Sequence, residues 1–194
     1  MADLVPLLPR QAVPALSVPT TGGARWTLNE VPPRVFTMVV FYRGLHCPIC
    51  GRYLAEIEGR LDEFVERGVE VMAISADPLD RAQESLTKWR LTRLALGHSL
   101  PLETARAWGL YLSRGRGKTS GGVMEPVLFH EPGLFLVRPD GTLYFAQVQT
   151  APFTRPNIGE LLSAIDFVQK NDYPARGEVA DLSATGREGG PVAA

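Results

Sequence analysis

Cys47 and Cys50 are the only two cysteines in a chain of 194 residues. They lie three positions apart in Phe41-Tyr42-Arg43-Gly44-Leu45-His46-Cys47-Pro48-Ile49-Cys50. That spacing suits thiol–disulfide exchange: one thiolate attacks a disulfide, and the other thiol, one helical turn on, attacks the mixed disulfide that results. The flanking residues favour the thiolate. An apolar run, Val35 to Tyr42, leads into the pair, and a helical pattern leads out of it. Pro48 suits the first helical position, where its missing N–H would be unpaired in any case. The first turn of a helix carries free N–H groups and partial positive charge. A free cysteine titrates near ~8.5, and such a setting lowers it to roughly 3.5–7.5. Arg43 adds positive charge nearby.

The elements that hold this pair follow from hydrophobic periodicity. Val35 to Tyr42 is nearly continuous in apolar residues, as in a strand buried on both faces. Ile49, Tyr53, Leu54, Ile57, Leu61, Phe64 and Val65 share one face, which predicts a helix from Pro48 to about Arg67, stopped by Gly68. Val69 to Ser75 is a second buried strand. Asp77-Pro78 predicts a cap followed by a helix to about Leu91. Ser99 predicts a cap for a helix over Pro101 to Trp108, closed by Gly109. Leu112 to Gly122 is Gly-rich and basic and reads as an exposed loop. Gly133 to Val137 and Leu143 to Val148 flank Asp140-Gly141, a strong hairpin signal. A last helix begins near Pro156, with Ile158, Leu161, Leu162, Ile165 and Val168 on one face. A small hairpin is expected around Gly22-Gly23. The sum is an α/β sandwich with a mixed central sheet and helices on both faces, spanning residues 14–171. Residues 1–13 read as a flexible arm and 172–194 as a flexible tail.

Composition narrows the functional classes. Hydrophobic residues make up 45% and charged residues 21% of the chain, with a net charge of −1. This is ordinary for a globular protein and implies no nucleic-acid partner. No apolar run approaches the ~18 residues of a membrane helix, and the proline-broken start lacks the pattern of a signal peptide. Two closely spaced cysteines do not make a disulfide framework. A cytoplasmic location is expected. The oligomeric state is open.

Competing readings of the chemical residues divide as follows. A zinc site wants four ligands; His46, His98 and His130 are the only imidazoles, and His46 is awkwardly adjacent to Cys47, so no metal is expected. Haem attachment would need His after Cys50, where Gly51 stands. Gly117-Lys118-Thr119 lacks the glycine of a phosphate loop at position 112, which is Leu112, so no nucleotide cofactor is expected. Arg43 either tunes a thiolate or pairs with a carboxylate. His46 is expected to face solvent, where a proton-shuttling role is open to it. Glu131 reads as a charged turn residue. Trp26, Trp89 and Trp108 read as packing residues.

The order of elements, with Phe-Tyr-Arg-Gly-x-x-Cys-Pro-x-Cys after the first buried strand, resembles the peroxiredoxin-like (AhpC/TSA) group of thioredoxin-fold proteins over roughly Val13 to Asn171. The resemblance implies a thioredoxin-like three-layer sandwich. It also implies that Pro132, in His130-Glu131-Pro132-Gly133, is a cis proline facing the cysteines, with the backbone of Glu131 beside the thiols where a substrate segment could pair. Two departures stand out. A peroxiredoxin has Pro-x-x-x-Thr-x-x-Cys; here Arg43 takes the Pro position, Cys47 the Thr position and Cys50 the peroxidatic position. The family's peroxide-polarising arginine falls by count on Pro132. Against thioredoxin, His46 replaces the tryptophan before the first cysteine, and no carboxylate lies between Val35 and Tyr42.

Three functions compete. The first is a thiol–disulfide oxidoreductase in which Cys47, the more exposed thiol, attacks and Cys50 resolves. The second is a hydroperoxide-reducing peroxidase acting through Cys50, with Cys47 resolving. The third is a non-catalytic binding module on the same scaffold. The partners implied are protein or low-molecular-weight thiols and disulfides, or a hydroperoxide, with Arg43, His46, Pro48, Glu131 and Pro132 supporting the pair and no cofactor.

Overall fold

The computed structural model describes residues 5–181; positions 1–4 of the expected arm and 182–194 of the expected tail lie outside the described residues. A short hairpin, β1 (Ser17–Pro19) and β2 (Arg25–Thr27), comes first. The strand β3 (Phe36–Phe41) follows and is buried along its whole length. Alternate side chains of a strand point to opposite faces. Phe36, Met38 and Val40 therefore enter one core, and Val39 and Phe41 another. The apolar run is continuous because both faces are covered.

The single helix expected from Pro48 to Arg67 is two helices, α1 (Pro48–Gly59) and α2 (Leu61–Glu66). Arg60 between them leaves helical geometry, with φ −120° and ψ 14°. Gly59 is a poor helix residue, and the break lets Phe64 bury completely. Next come β4 (Val69–Ile74), parallel to β3, and α3 (Leu79–Trp89). Asp77 does not cap α3: Pro78 holds the N-cap position, with no side-chain bond. β5 (Leu96–Gly97) runs parallel to β4. Ser99 likewise fails as a cap for α4 (Leu102–Ala107), whose N-cap is Pro101; the Ser99 hydroxyl meets His98 Nδ1 at 3.0 Å instead. The segment expected to be loop from Leu112 onward begins as β6 (Leu112–Arg114), antiparallel to β7 (Leu128–His130). The expected hairpin is β8 (Gly133–Val137) and β9 (Leu143–Val148). Gly141 in its turn has φ +82°, a conformation glycine adopts without strain. The chain ends in α5 (Ile158–Asn171), capped by the Asn157 side chain, which accepts from the Glu160 N–H at 2.9 Å.

The central sheet has the order β5-β4-β3-β8-β9, with β3 in the middle. One face packs on α1, α2, α3 and α5 through Leu54, Ile57, Phe64, Leu161 and Ile165. The other packs on α4 and the β1–β2 hairpin through Leu16, Val18, Ala105 and Trp108. This is the expected α/β sandwich. The flanking segments are tied to it. Arg10 N–H donates to the Leu143 carbonyl at 2.8 Å, and Leu143 N–H to the Gln11 carbonyl at 2.9 Å. Arg10 Nε donates to the Ala175 carbonyl at 3.0 Å, and Ala175 is buried. Residues 10–13 and 173–176 thus make contacts that a loose arm and tail would lack.

Candidate active site

β3 delivers the chain to a buried turn, Arg43 to His46, and α1 begins at once. Cys47 is the N-cap of α1 and Pro48 opens the first turn. The Cys47 sulfur accepts the Cys50 N–H at 3.3 Å and the Cys50 S–H at 2.7 Å. Both cysteines are free thiols. The pair shares its proton unequally. The Cys50 S–H bond outweighs burial and brings the Cys47 thiol down to about 6, helped by Arg155 and, less, by Arg43. Burial, and donation to Cys47, push Cys50 up. A charge at a helix start is further favoured by the exposed N–H dipoles.

Neither thiol is open to solvent, although the sequence predicts an exposed Cys47. Cys47 is 2% exposed and Cys50 1%. What covers them is not purely apolar. The strap between β9 and α5 carries Arg155, whose Nη2 lies 3.2 Å from Cys50 Sγ and 3.8 Å from Cys47 Sγ. Its Nη1 is held by the Pro152 carbonyl at 3.2 Å. Cys50, Arg155, Tyr53 and Pro132 enclose a cavity of about 10 Å³, room for about one water molecule. Sequence reasoning missed Arg155. The one local signal is its place just before Pro156-Asn157, the start of the last helix; only the sheet topology brings that point to the thiols.

Arg43 is engaged elsewhere. Its Nε lies 3.1 Å from Glu131 Oε2 and its Nη2 3.3 Å from Glu125 Oε1, and its guanidinium sits 4.6 Å over the Phe129 ring. Glu131 is therefore not an exposed turn residue: it is 5% exposed and also accepts the Ser113 hydroxyl at 2.6 Å. Its N–H donates to the Tyr111 carbonyl at 2.7 Å, so that donor is already used within the protein. Pro132 lines the thiol cavity, as the resemblance implied, but its peptide bond is trans. His46 does not face solvent. It is fully buried, its ring 4.7 Å from that of Phe129, and burial first, then Arg43, lowers it to about 3. It is neutral near pH 7, which removes the expected exposed shuttle.

A buried carboxylate does lie behind the turn, on Asp77. It accepts the Leu45 N–H at 2.7 Å and pairs with Arg81 at 3.1 Å. Gly44, at φ +122°, lies against it, and a Cβ there would come within 2.5 Å of Asp77 Oδ2. Asp77 therefore fixes the turn that aims Cys47. Among the described residues no cluster of three His, Cys, Asp or Glu could hold a metal ion, and no helix is long and apolar enough to cross a membrane.

The sequence model of the AhpC/TSA family matches residues 9–146. The chain belongs to the AhpC/TSA family. Two Mycobacterium tuberculosis proteins, from strains CDC 1551 and H37Rv and both provisionally named peroxiredoxins, are each 28% identical to it over 154 residues, which is 76% of this chain and 88% of the relative. Among solved structures, the peroxidoxin BcpB of M. tuberculosis superposes with a TM-score of 0.64 at 16% identity, covering 84% of this chain and 98% of that one. Peroxiredoxin 6 of Arenicola marina gives 0.67 at 18% identity, covering 84% and 74%. These likenesses establish the thioredoxin-type fold. Family membership makes the chain a thiol-dependent oxidoreductase of the peroxiredoxin-like group, which sets aside the binding-module reading.

Proposed function

We propose that this AhpC/TSA protein is a dithiol–disulfide oxidoreductase in which Cys47 attacks and Cys50 resolves. The observation that carries the reading is the asymmetry of the pair. Cys47 Sγ sits at the N-cap and receives two donors from Cys50, while Cys50 is the fully buried donor whose proton is retained. Thiolate at Cys47 attacks one sulfur of a substrate disulfide and expels the other as thiolate. Cys50 then attacks Cys47 Sγ, its proton leaving with the departing thiol, and Cys47–Cys50 becomes the oxidised form. The 2.7 Å separation of the sulfurs means that the second step needs little movement. Entry does need movement: the Arg155 strap must swing aside, and Phe153 and Thr154 on it are exposed.

One observation favours the peroxidase reading, in which Cys50 attacks a hydroperoxide. Arg155 is nearer to Cys50 than to Cys47 and stands in for the guanidinium missing at Pro132. The cavity beside Cys50 is too small for a peroxide until the same strap opens.

Single-cysteine variants separate the two. Under the first reading Cys50→Ser traps a mixed disulfide on Cys47 with a small disulfide, and Cys47→Ser traps nothing. Sulfenate on Cys50 in Cys47→Ser at low hydrogen peroxide, without disulfide trapping in Cys50→Ser, would reverse the assignment.

A further inference from the structure

Beside the start of α1, on the side facing α3, lies a groove of about 340 Å³. Its wall includes His46, Pro48, Arg52, Lys88, Trp89 and Val123. Three features set it apart from an ordinary surface hollow. First, the cations are unspent. Arg43 and Arg81 are paired with Glu131, Glu125 and Asp77, but Arg52 and Lys88 are exposed and have no carboxylate partner among the described residues. No Asp or Glu lines the groove. Second, His46 is wholly buried in that wall, and neither ring nitrogen has a hydrogen-bond partner. A buried donor without an acceptor is costly, and a small shift of the wall that uncovered the ring would let an anionic or amide group in the groove satisfy it. Third, the groove flanks the N-terminal turn of α1, where the dipole favours negative charge. Trp89, which packs against Gly51 of that turn, adds an apolar floor.

We propose that this groove binds the carboxylate-bearing arm of an anionic low-molecular-weight disulfide and so presents its sulfurs to Cys47 across Pro48 once the Arg155 strap has swung aside. The inference rests on the dithiol reading above and names its substrate class. The chemistry balances within that reading. Cys47 thiolate forms a bond to one substrate sulfur, and the other leaves as thiolate. Cys50 displaces the first sulfur from Cys47 and gives up its proton. The dithiol loses two electrons and the substrate becomes two thiols.

The test compares single-turnover oxidation of the reduced protein by glutathione disulfide, which carries carboxylates, and by neutral 2-hydroxyethyl disulfide. Glutathione disulfide is expected to react faster, and the rate ratio is expected to fall about tenfold in Arg52→Glu/Lys88→Glu and to shrink as salt is raised. Lys170→Glu, on α5, should leave the ratio unchanged. Binding is read separately by tryptophan fluorescence with S-methylglutathione, which has no reactive sulfur; the same double reversal should weaken it about tenfold. Equal rates for the two disulfides, with no binding of S-methylglutathione, would overturn the groove. Binding without oxidation by either disulfide would overturn the dithiol reading and leave the anion site standing.

Discussion

Two guanidiniums flank the same thiol pair and do different things. Arg43 is four residues from Cys47 in sequence and is answered by two carboxylates, the buried Glu131 and the partly buried Glu125. Arg155, 105 positions after Cys50 in the chain, comes from the strap between β9 and α5 and has only backbone carbonyls and the two sulfurs as partners. The first is a structural ion cluster that happens to be near the site. The second is a charge left free to act on sulfur. Proximity in sequence therefore points to the wrong arginine, and the deciding question is which cation lacks a carboxylate.

Removing each charge should separate stability from reactivity. Arg43→Met leaves Glu131 buried without its cation, and breaking a buried pair in this way costs about 3–5 kcal/mol. For a domain of this size the melting temperature should fall by on the order of 10 °C, measured by thermal denaturation, while the Cys47 titration moves little. Adding Glu131→Gln should recover part of the loss. A stable Arg43→Met with a strongly raised Cys47 thiol would invert the comparison.

Acid should strain the Arg43 side next. His46 packs on Phe129 beneath Arg43, and His130 packs on Phe41. Burial lowers them to about 3 and about 4, below the unfolded value of ~6.5. The unfolded state therefore binds the extra protons, and stability is lost as pH falls from about 6.5 toward those values. At pH 5 the loss is about 2 kcal/mol for each imidazole. Urea midpoints at pH 7 and pH 5 measure it, and His130→Leu should flatten the acid limb.

The thiol pair responds to its own hydrogen bond before it responds to either arginine. Cys50→Ala removes the S–H donor that contributes most to the Cys47 thiolate. A bond to a charged group is worth about 1.5–3 kcal/mol, so the Cys47 thiol should rise by about one to two pH units. Cys50→Ser keeps an O–H donor and should rise less. Thiolate absorbance against pH distinguishes the two; equal shifts would show that the Cys50 side chain is not the donor.

What could be read from the sequence follows the range of the forces involved. Pro48 after Cys47 is a local signal, and the N-cap thiolate follows from it directly. The doubly buried β3 and the Asp140-Gly141 hairpin are equally local. The misreadings involve residues with two local options that tertiary packing decides. Asp77 before Pro78 has the form of a cap, yet a buried turn with unpaired N–H groups claims its carboxylate through Leu45. His46 beside a reactive cysteine reads as exposed until Phe129, 83 positions on, covers it. Arg155 carries no periodic or motif signal, because its role arises only when the β9–α5 strap crosses the carboxyl end of β3.

Arg155→Met is the smallest of these effects in rate and the most informative about mechanism. It should raise the Cys47 thiol, from about 6, by about one unit, less than Cys50→Ala does, because Arg155 contributes less than the Cys50 bond. At pH 7 that shift roughly halves the thiolate fraction. A more basic thiolate is also a better nucleophile, by about threefold per unit at a Brønsted slope of about 0.4–0.5. The two changes nearly cancel, so exchange at pH 7 should stay within about twofold of the parent protein. At pH 5.5 the thiolate fraction falls about eightfold and the variant should be about threefold slower. A rate profile with that crossing assigns Arg155 to thiolate stabilisation at Cys47. A uniform loss at every pH, with the Cys47 titration unmoved, would instead place Arg155 on the bound oxidant, as the peroxidase reading requires.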